Sequence, residues 1–477
     1  MTKANVVDEN KPPGYKYRWL ILAVMLAAEI MDLIDATIIN VGGPTLQSVL
    51  GATEIDLQWI IGGYTLALGS GLILGGRLGD RFGRRFMFLF GMIGFTAASL
   101  ACSMAQSTEG LIAFRFIQGF LGAMLLPQGF GLLKAVFPPK ELGQAFGVFG
   151  PVFGLAGILG PVIGGALIEA DLFGLGWRAV FLVNVPIGLA AAVIAWKVLP
   201  KTPGDRSIKI DLVGAVLVIA SSALLIYPLI QGQEENWPSW TFVFIALSIV
   251  GFVGFSLQQR SLSKRNLVPL INPSILAKSA YTIGLLGIAL FFAALTGFAL
   301  IVTLFLQLGQ QYSAGEAGIA NIPIAVGSAI GAGLSGGFLA AKFGRKVLQW
   351  GAIGQILGVA LIWLVIQNQT EFNFWALVPG MLVAGIGSGL MVAALFDIVL
   401  GAADESEVGS ASGLLSAVQS IASSLGVAVF GTVFFAQVKL GATSQGLQNA
   451  LWVSAGLMVV FLLISPLLPK KSADQGH

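Results

Sequence analysis

Apolar stretches of about twenty residues recur along the whole of this 477-residue chain, with short polar segments between them. A helix of this length crosses a hydrocarbon core about 30 Å thick. A chain with many such stretches is expected to place them in a lipid bilayer, as an all-α polytopic membrane protein. We predict transmembrane helices near residues 19–41, 57–75, 86–105, 111–134, 143–168, 178–198, 211–231, 239–259, 279–308, 317–340, 347–366, 374–400, 407–436 and 446–468.

The composition agrees with these fourteen predicted spans. Hydrophobic residues make up 56% of the chain and charged residues 10%, whereas soluble domains carry about 25% charged residues. The 63 glycines fit helices that approach closely in a membrane. The first apolar stretch is longer than the apolar core of a signal peptide, so we expect it to be retained as a helix behind a cytoplasmic N-terminus, residues 1–18.

The basic residues predict the orientation of the helices. With the N-terminus inside, 23 of the 26 Lys and Arg residues fall in inside segments, as expected for cytoplasmic loops. An odd number of spans would invert part of the chain and destroy this asymmetry. The net charge of +3 is therefore explained by topology, and no nucleic-acid partner is predicted. The expected location is the inner (plasma) membrane, with the N- and C-termini both cytoplasmic.

An internal repeat predicts how the helices are grouped. Gly75–Arg85 aligns without gaps to Gly336–Lys346, with six of eleven positions identical. The offset of 261 residues is too long for six helices with their loops and fits two additional spans. The predicted parts are an N-terminal six-helix domain at 19–200, two inserted transmembrane helices at 201–259, a cytoplasmic linker at 260–278, a C-terminal six-helix domain at 279–468 and a cytoplasmic tail at 469–477.

Ionisable side chains within the predicted spans are the candidates for chemistry, because a charge at membrane depth is costly unless it faces a cavity or a partner. Three carboxylates share one broad face of the first helix, and the other two candidates lie on the fourth and twelfth helices. They are Glu29, Asp32, Asp35, Arg115 and Asp397. The sole histidine is His477 and the sole cysteine is Cys102, so proton chemistry is expected to use carboxylates. Three neighbouring carboxylates cannot all be ionised in a low dielectric, which predicts a protonatable site near neutral pH.

Several segments then resemble motifs of the major facilitator superfamily, specifically its fourteen-helix drug:proton antiporter branch. In chain order they are Leu33–Val41, Gly75–Arg85, Arg115 with Gln118 and Gly119, Gly154–Gly165, and Trp177–Gly188. The resemblance covers nearly the whole chain. It implies the major facilitator fold, with two six-helix pseudo-repeats plus two inserted helices. Two departures stand out: Gly42-Gly43-Pro44 replaces the usual end of the first motif, and Ala341 occupies the position of Asp80 in the second copy of the repeat.

The resemblance implies roles for the intramembrane residues. Asp35, Asp32 and Arg115 are predicted to couple transport to protons, with Arg115 tuning a carboxylate because it cannot release its own proton. Glu29, Asp397 and Gln118 are predicted to contact substrate. Alternatives without a role in transport stay open for three of them. Glu29 would only meet water, Arg115 would form a structural ion pair, and Asp397 would bond to the serines that follow it, Ser410, Ser412 and Ser416.

Two further segments are predicted to act in gating. Asp80, with Arg84 or Arg85, is expected to pair with helix ends of the other half and latch one conformation; plain membrane anchoring is the alternative. Gly160 and Pro161 lie in the fifth-helix motif, where Pro161 permits a kink and close helix contact could seal the substrate path. The contact is expected along a stripe of glycines, Gly147, Gly150, Gly154, Gly157 and Gly164. Plain packing explains these glycines equally well.

No nucleotide-binding motif is present, so energy is expected from an ion gradient, and neither an enzyme activity nor a cofactor is predicted. The predicted function is a proton-coupled antiporter that exports small amphipathic, cationic drugs or toxic compounds by alternating access. A dedicated exporter of one endogenous metabolite, lipid or antibiotic is the alternative, and a non-transporting receptor has less support. The predicted partners are a small-molecule substrate, protons and the lipid bilayer, and we predict a monomer.

Overall fold

The computed structural model describes residues 15–138, 141, 149–201, 203–232, 235, 237–265, 267, 269–271, 273–368, 372–402 and 408–470. Within these residues the chain is helical and contains no strand, which confirms the all-α class. Long helices account for most of it. They are α1 (Arg18–Ile38), α2 (Glu54–Phe82), α3 (Arg84–Ser103), α4 (Thr108–Val136), α5 (Phe149–Ala170), α6 (Arg178–Val198), α7 (Leu212–Gln231), α8 (Ser239–Lys264), α9 (Ser279–Gly309), α10 (Ala314–Leu334), α11 (Arg345–Asn368), α12 (Phe374–Leu400), α13 (Val408–Val438) and α14 (Thr443–Ile464).

Twelve helices of the described residues are long and apolar enough to cross a membrane. The helices outside this set are α1 and α5, which are 21 and 22 residues long. Three carboxylates fall within every eighteen-residue stretch of α1, and the described side chains of α5 begin only at Gly160. The fourteen-span topology therefore stays a prediction, although each predicted span coincides with a long helix.

Helices α1–α6 and α9–α14 form two packed groups, which we call the N-terminal group and the C-terminal group. Within the N-terminal group, α4 packs against α2 and α3, and α1 packs against α5 and α6. Within the C-terminal group, α12 packs against α10 and α11, and α9 packs against α13 and α14. The groups meet along two seams, α2 with α13 and α5 with α10.

Glycines allow backbone contact along the α5–α10 seam. A Cβ atom added to Gly165 would collide with the carbonyl oxygen of Ala314, and one added to Gly318 would lie 2.5 Å from the carbonyl oxygen of Pro161. This contact includes the carbonyl oxygen of Pro161, and the gating role of Gly160 and Pro161 stays a prediction. Small residues permit this approach because neither helix projects a side chain into it.

The apolar core differs between the two ends of the bundle. We call the end that carries Arg77–Arg85 and Arg345 the basic end. At the opposite end one buried cluster joins both groups, from Ile34 on α1 to Phe305 on α9 and Phe434 on α13. At the basic end the apolar residues form two clusters, each built mainly from one group. The groups are thus closed against each other at the end opposite the basic end.

A hydrogen bond across the groups supports this closure. Gln307 Nε2 donates to the carbonyl oxygen of Val41 over 3.0 Å. Gln307 lies in a π-helical turn, Phe305–Gly309, at the end of α9, and Val41 lies in the 3₁₀ turn Ile39–Gly42 after α1.

The inserted helices pack on one side of the bundle. α7 contacts both α2 and α13, so it covers their seam, and Thr432 Oγ1 of α13 donates to Leu229 O of α7 over 3.0 Å. α8 packs mainly on α7, where Ser248 Oγ donates to Ser221 O over 2.7 Å. Asp211 caps the first turn of α7 and also accepts hydrogen bonds from Gln258 and Gln259 near the end of α8.

Candidate functional site

Helix α1 carries three acidic side chains into the interior of the N-terminal group. Asp35 is 0% exposed, and Glu29 and Asp32 are each 7% exposed. The helix has no internal glycine or proline between Arg18 and Ile38, so its turns keep these side chains at fixed spacing. All three carboxylates are therefore held away from bulk water, as the prediction for this helix requires.

Asp35 lies in a closed cage of hydrogen-bond donors. Its Oδ2 atom forms an ion pair with Arg115 Nη1. Its Oδ1 atom accepts from Gln118 Nε2 over 2.9 Å and from Asn184 Nδ2 over 2.7 Å. The cage is completed by Ser99, whose hydroxyl accepts from Gln118 over 2.7 Å. Both oxygens of this carboxylate therefore have buried donors.

Arg115 is completely buried and fixed from several sides. Its Nε atom donates to the carbonyl oxygen of Ile60 over 3.0 Å, and its Nη1 atom also donates to Gln118 Oε1 over 2.8 Å. The guanidinium carbon lies 4.0 Å from the ring centroid of Tyr64 and 5.6 Å from that of Phe181. A planar guanidinium suits this combination of hydrogen bonds and stacking.

Asp32 has a different environment from Asp35. Its Oδ1 atom accepts a short hydrogen bond from the Tyr64 hydroxyl of α2. Arg115 and Asp35 are the other charged groups that act on it. Asp32 therefore lies one step from the buried ion pair, linked to it through the ring of Tyr64.

Glu29 is the third carboxylate of the set. No hydrogen bond joins its side chain to another of the described residues, and its nearest charged influence is Asp32. A buried carboxylate without a protein donor needs a proton, a cation or water as its partner.

The charges of this cluster do not balance when all the acids are ionised. Arg115 supplies one positive charge against the three carboxylates of α1. Because unpaired buried charge is costly, Asp35 and Arg115 neutralise each other and the other two acids require protons or a bound cation. The cluster can therefore exchange a proton for a cation with little change in net charge.

The other predicted substrate contacts have distinct positions. Gln118 is completely buried within the Asp35 cage, where its amide is used by Asp35, Arg115 and Ser99. Asp397 is exposed close to the end of α12, three residues before Leu400, and lies away from the acids of α1. Its proposed serine partners Ser410 and Ser412 have side chains outside the described part of the chain.

The predicted gating residues lie at the basic end. Asp80 accepts a hydrogen bond from Arg84 over 3.0 Å within the same motif, and its backbone carbonyl accepts from Asp205 N over 3.0 Å. Arg85 donates to Trp196 O of α6 over 2.5 Å. These contacts lie within the N-terminal group and the segment before α7. A latch from these residues to the C-terminal group stays a prediction.

Arg77, close to Asp80 on α2, makes a contact across the basic end. Arg77 Nη2 donates to Pro269 O over 2.7 Å and to Leu270 O over 3.4 Å. The side chains of Leu270 and Ile271 are buried in the cluster of the C-terminal group. Arg77 thus ties the end of α2 to the linker that enters the other group.

Sequence reasoning missed three residues of the site, Tyr64, Ser99 and Asn184. Tyr64 and Ser99 gave no signal, because tyrosine and serine occur on many membrane helices without a role. Asn184 lies within the motif Trp177–Gly188 at the start of α6, and a polar side chain in an apolar helix is the signal that could have identified it. Metal binding has no support, since no three His, Cys, Asp or Glu side chains of the described residues form a suitable group.

Comparison with known proteins agrees with this geometry. The Major Facilitator Superfamily model matches residues 25–427 and 284–476. The chain is 47% identical over 438 residues to the "Probable actinorhodin transporter" of Streptomyces coelicolor, covering 91% of this chain and 75% of that protein. It is 32% identical to the "Tetracenomycin C resistance and export protein" of Streptomyces glaucescens, with 88% and 76% covered. It is 28% identical to "Multidrug resistance protein 3" of Bacillus subtilis, with 87% and 79% covered.

Solved structures agree on the fold. A bacterial homologue of the human lysosomal transporter Spinster, in an inward-facing and occupied conformation, superposes with a TM-score of 0.66 at 18% identity, covering 95% of this chain and 97% of that chain. The predicted family resemblance and the prediction of a transporter rather than an enzyme are confirmed. The chain belongs to the Major Facilitator Superfamily, as a multi-pass membrane transporter whose relatives are of the drug-efflux type.

Proposed function

We propose that this protein is a proton-coupled antiporter that exports small amphipathic cations by alternating access. The observation that carries the proposal is the charge imbalance inside the N-terminal group, where three buried carboxylates face one arginine. Such a cluster binds either protons or a cationic ligand, and competition between the two for the same carboxylates is the basis of antiport.

We assign different tasks to the carboxylates. Asp35 forms a fixed ionised anchor with Arg115, since both of its oxygens accept hydrogen bonds from buried donors. Asp32 is the proton-exchanging group, because one phenol hydrogen bond and 7% exposure leave it nearer to solvent. Glu29 is the substrate contact, with no described hydrogen-bond donor to satisfy it. The positions of Asp35, Asp32 and Arg115 support their predicted role in proton coupling.

Export of a monovalent cation driven by the membrane potential needs more than one proton per cation, because a one-for-one exchange moves no net charge and uses only the pH gradient. Moving one elementary charge through a membrane potential supplies about 2.3 kcal/mol per 100 mV. This corresponds to about fiftyfold accumulation of substrate per charge. Proton binding from the outer side and release inside would therefore drive export against a substantial gradient.

We also propose that the basic end faces the cytoplasm of the plasma membrane, with both termini on that side. Support comes from the concentration of Lys and Arg there, 23 of 26 by the predicted topology. The closure of the two groups at the opposite end then corresponds to an inward-facing state, in which Glu29 and Asp32, each 7% exposed, are the acids of α1 that are less completely enclosed than Asp35.

Everted membrane vesicles with an acidified interior test the coupling. Adding tetraphenylphosphonium is expected to discharge the proton gradient, reported by a pH-sensitive dye. Asp35→Asn removes the anchor of Arg115 and is expected to abolish the response. Glu109→Gln, which neutralises an exposed acid in the first turn of α4, is expected to retain it. Full antiport by Asp35→Asn would remove Asp35 from coupling.

A second candidate is a dedicated exporter of one antibiotic. It is favoured by the 47% identity to the relative named for actinorhodin and by the relative named for tetracenomycin C. The same vesicles distinguish the two functions. Discharge by actinorhodin or tetracenomycin C with no response to tetraphenylphosphonium would support the dedicated exporter, whereas discharge by several unrelated cations would support the broad one.

A further inference from the structure

Tyr64 connects the two acidic environments of α1. It lies on α2, is 0% exposed, and its hydroxyl donates to Asp32 Oδ1. The face of its ring lies 4.0 Å from the guanidinium carbon of Arg115, which pairs with Asp35. One side chain therefore touches the proposed proton-exchanging group at its polar end and the fixed ion pair at its aromatic face.

The fold fixes the position of this tyrosine closely. Gly119, the last residue of the motif that begins at Arg115, lies against the backbone carbonyl of Tyr64, and a Cβ atom there would collide with it. Phe95 of α3 packs edge-on against the Tyr64 ring, with the centroids 6.5 Å apart. The motif on α4 therefore supplies Arg115 and also the close approach that places Tyr64 beneath it.

We infer that Tyr64 is a positioning residue of the transport reaction, which holds Asp32 in its ionised form and transmits the state of Asp32 to the Arg115–Asp35 pair. This inference rests on the proposed proton-coupled function. A phenol donates to a carboxylate and gives a charge-assisted hydrogen bond. When Asp32 takes up a proton, that bond weakens and the negative charge at the polar end of the ring is lost, while Arg115 stays against its face.

The groups that face Asp32 leave Tyr64 as its direct partner. Arg115 approaches from α4, and Glu29 and Asp35 flank Asp32 on α1. The sequence of α6 has charged residues only at Arg178 and Lys197, near its ends, and that of α5 has its one acid at Glu169. The hydroxyl of Tyr64 is thus the hydrogen bond whose removal should change proton exchange at Asp32 most directly.

Tyr64→Phe tests the inference, because phenylalanine keeps the ring against Arg115 and removes only the hydroxyl. The pH dependence of tetraphenylphosphonium-driven proton discharge is measured in vesicles. A hydrogen bond to a charged group stabilises it enough to move its protonation by about one pH unit. Since the hydroxyl favours ionised Asp32, the midpoint of the Tyr64→Phe profile is expected about one pH unit higher than that of the unmodified protein.

Tyr281→Phe is the matched control. Tyr281 is also completely buried, and its hydroxyl donates to Ala411 O over 2.7 Å, in the C-terminal group and remote from the acids of α1. The two substitutions remove the same atom from equally buried sites. Tyr281→Phe is expected to leave the pH midpoint unchanged. An unmoved midpoint for Tyr64→Phe, with or without reduced stability, would show that Tyr64 only packs and would overturn the inference.

A second measurement tests the inference if the Tyr64→Phe variant accumulates poorly in membranes. Purified protein in detergent is titrated with tetraphenylphosphonium, and proton release on binding is followed over a pH series. In the otherwise unmodified protein, Tyr64→Phe is expected to change the pH profile of proton release. In a protein that already carries Asp32→Asn, Tyr64→Phe is expected to leave that profile unchanged. An equal change in both backgrounds overturns the role of Asp32 as partner. Absence of any proton release from unmodified protein would refute the proposed antiport itself, and the inference with it.

Discussion

At the scale of single residues, Arg115 determines the charge state that the site can hold. It is buried with Asp35, its Nε atom donates to Ile60 O, and its Nη1 atom also donates to Gln118. Removing either partner of a buried pair leaves an uncompensated charge, which costs about 3–5 kcal/mol. The pair therefore serves stability as well as chemistry, and the two roles can be separated by experiment.

A double-mutant cycle separates the two roles. Asp35→Asn and Arg115→Gln are each expected to lower the free energy of unfolding by about 3 kcal/mol. The double variant, which is neutral, is expected to lose less than the sum of the two, because no charge is left unpaired. Thermal unfolding of purified protein in detergent measures this. Additive losses would mean that the two side chains act independently. Recovered stability without recovered antiport would assign the charges to coupling.

The site was only partly predictable from sequence. Asp35 and Arg115 could be predicted because a charged residue in an apolar span stands out and both fall in motifs of a known family. Tyr64 and Ser99 could not, because their roles depend on which face of α2 or α3 meets α1 and α4. That choice is set by contacts between residues far apart in the chain, such as Gly119 against Tyr64.

At the scale of helices, the α5–α10 seam explains why the fifth-helix motif is rich in glycine. Gly165 and Gly318 each face a backbone carbonyl of the opposite helix, so the helices touch without intervening side chains. These contacts join the N-terminal and C-terminal groups. A larger side chain in the seam would force the groups apart while leaving each group folded.

Gly165→Val tests the seam. We expect the variant to insert in the membrane and to lose at least tenfold in transport, because the added atoms collide with the backbone at Ala314. Gly333→Val is the control, since a Cβ atom at Gly333 on the neighbouring helix α10 meets nothing within 4 Å. Normal transport by Gly165→Val would show that the seam tolerates separation and would contradict this account.

Arg77 provides a second prediction at this scale. Arg77→Ala removes the donor to Pro269 O and Leu270 O, so the linker at 269–271 is expected to lose protection. Hydrogen exchange of that segment should accelerate about tenfold, the effect of losing a charged hydrogen bond. Arg206→Ala is the control, because Arg206 is exposed in the segment before α7. Unchanged exchange at 269–271 in Arg77→Ala would show that the linker is held by Leu270 and Ile271 alone.

The helices themselves were largely predictable, because bilayer thickness fixes their length and apolar character. The first residue of each predicted span lies within about six residues of the first residue of an observed helix. The covering of the α2–α13 seam by α7 was not predictable. Lipid-facing and protein-facing positions of α7 are equally apolar, so its sequence does not indicate its neighbours.

At the scale of the whole molecule, topology is the feature open to direct test. Cys102 is completely buried, so a Cys102→Ala background allows single cysteines to report their side of the membrane. Ser207→Cys, before α7, is expected to react with a membrane-impermeant maleimide only in everted vesicles. Ser48→Cys, after α1, is expected to react only in intact cells; both serines are exposed. Labelling of both from the same side would contradict the predicted orientation.

The position of α7 makes the two flanks of the transporter unequal. On one flank α7 lies over the junction of α2 with α13, and α8 packs on α7. On the other flank, among the described residues, the junction of α5 with α10 has no inserted helix over it. A compound dissolved in the bilayer would therefore meet a different surface on each flank, the inserted helices on one and the closely packed α5–α10 seam on the other.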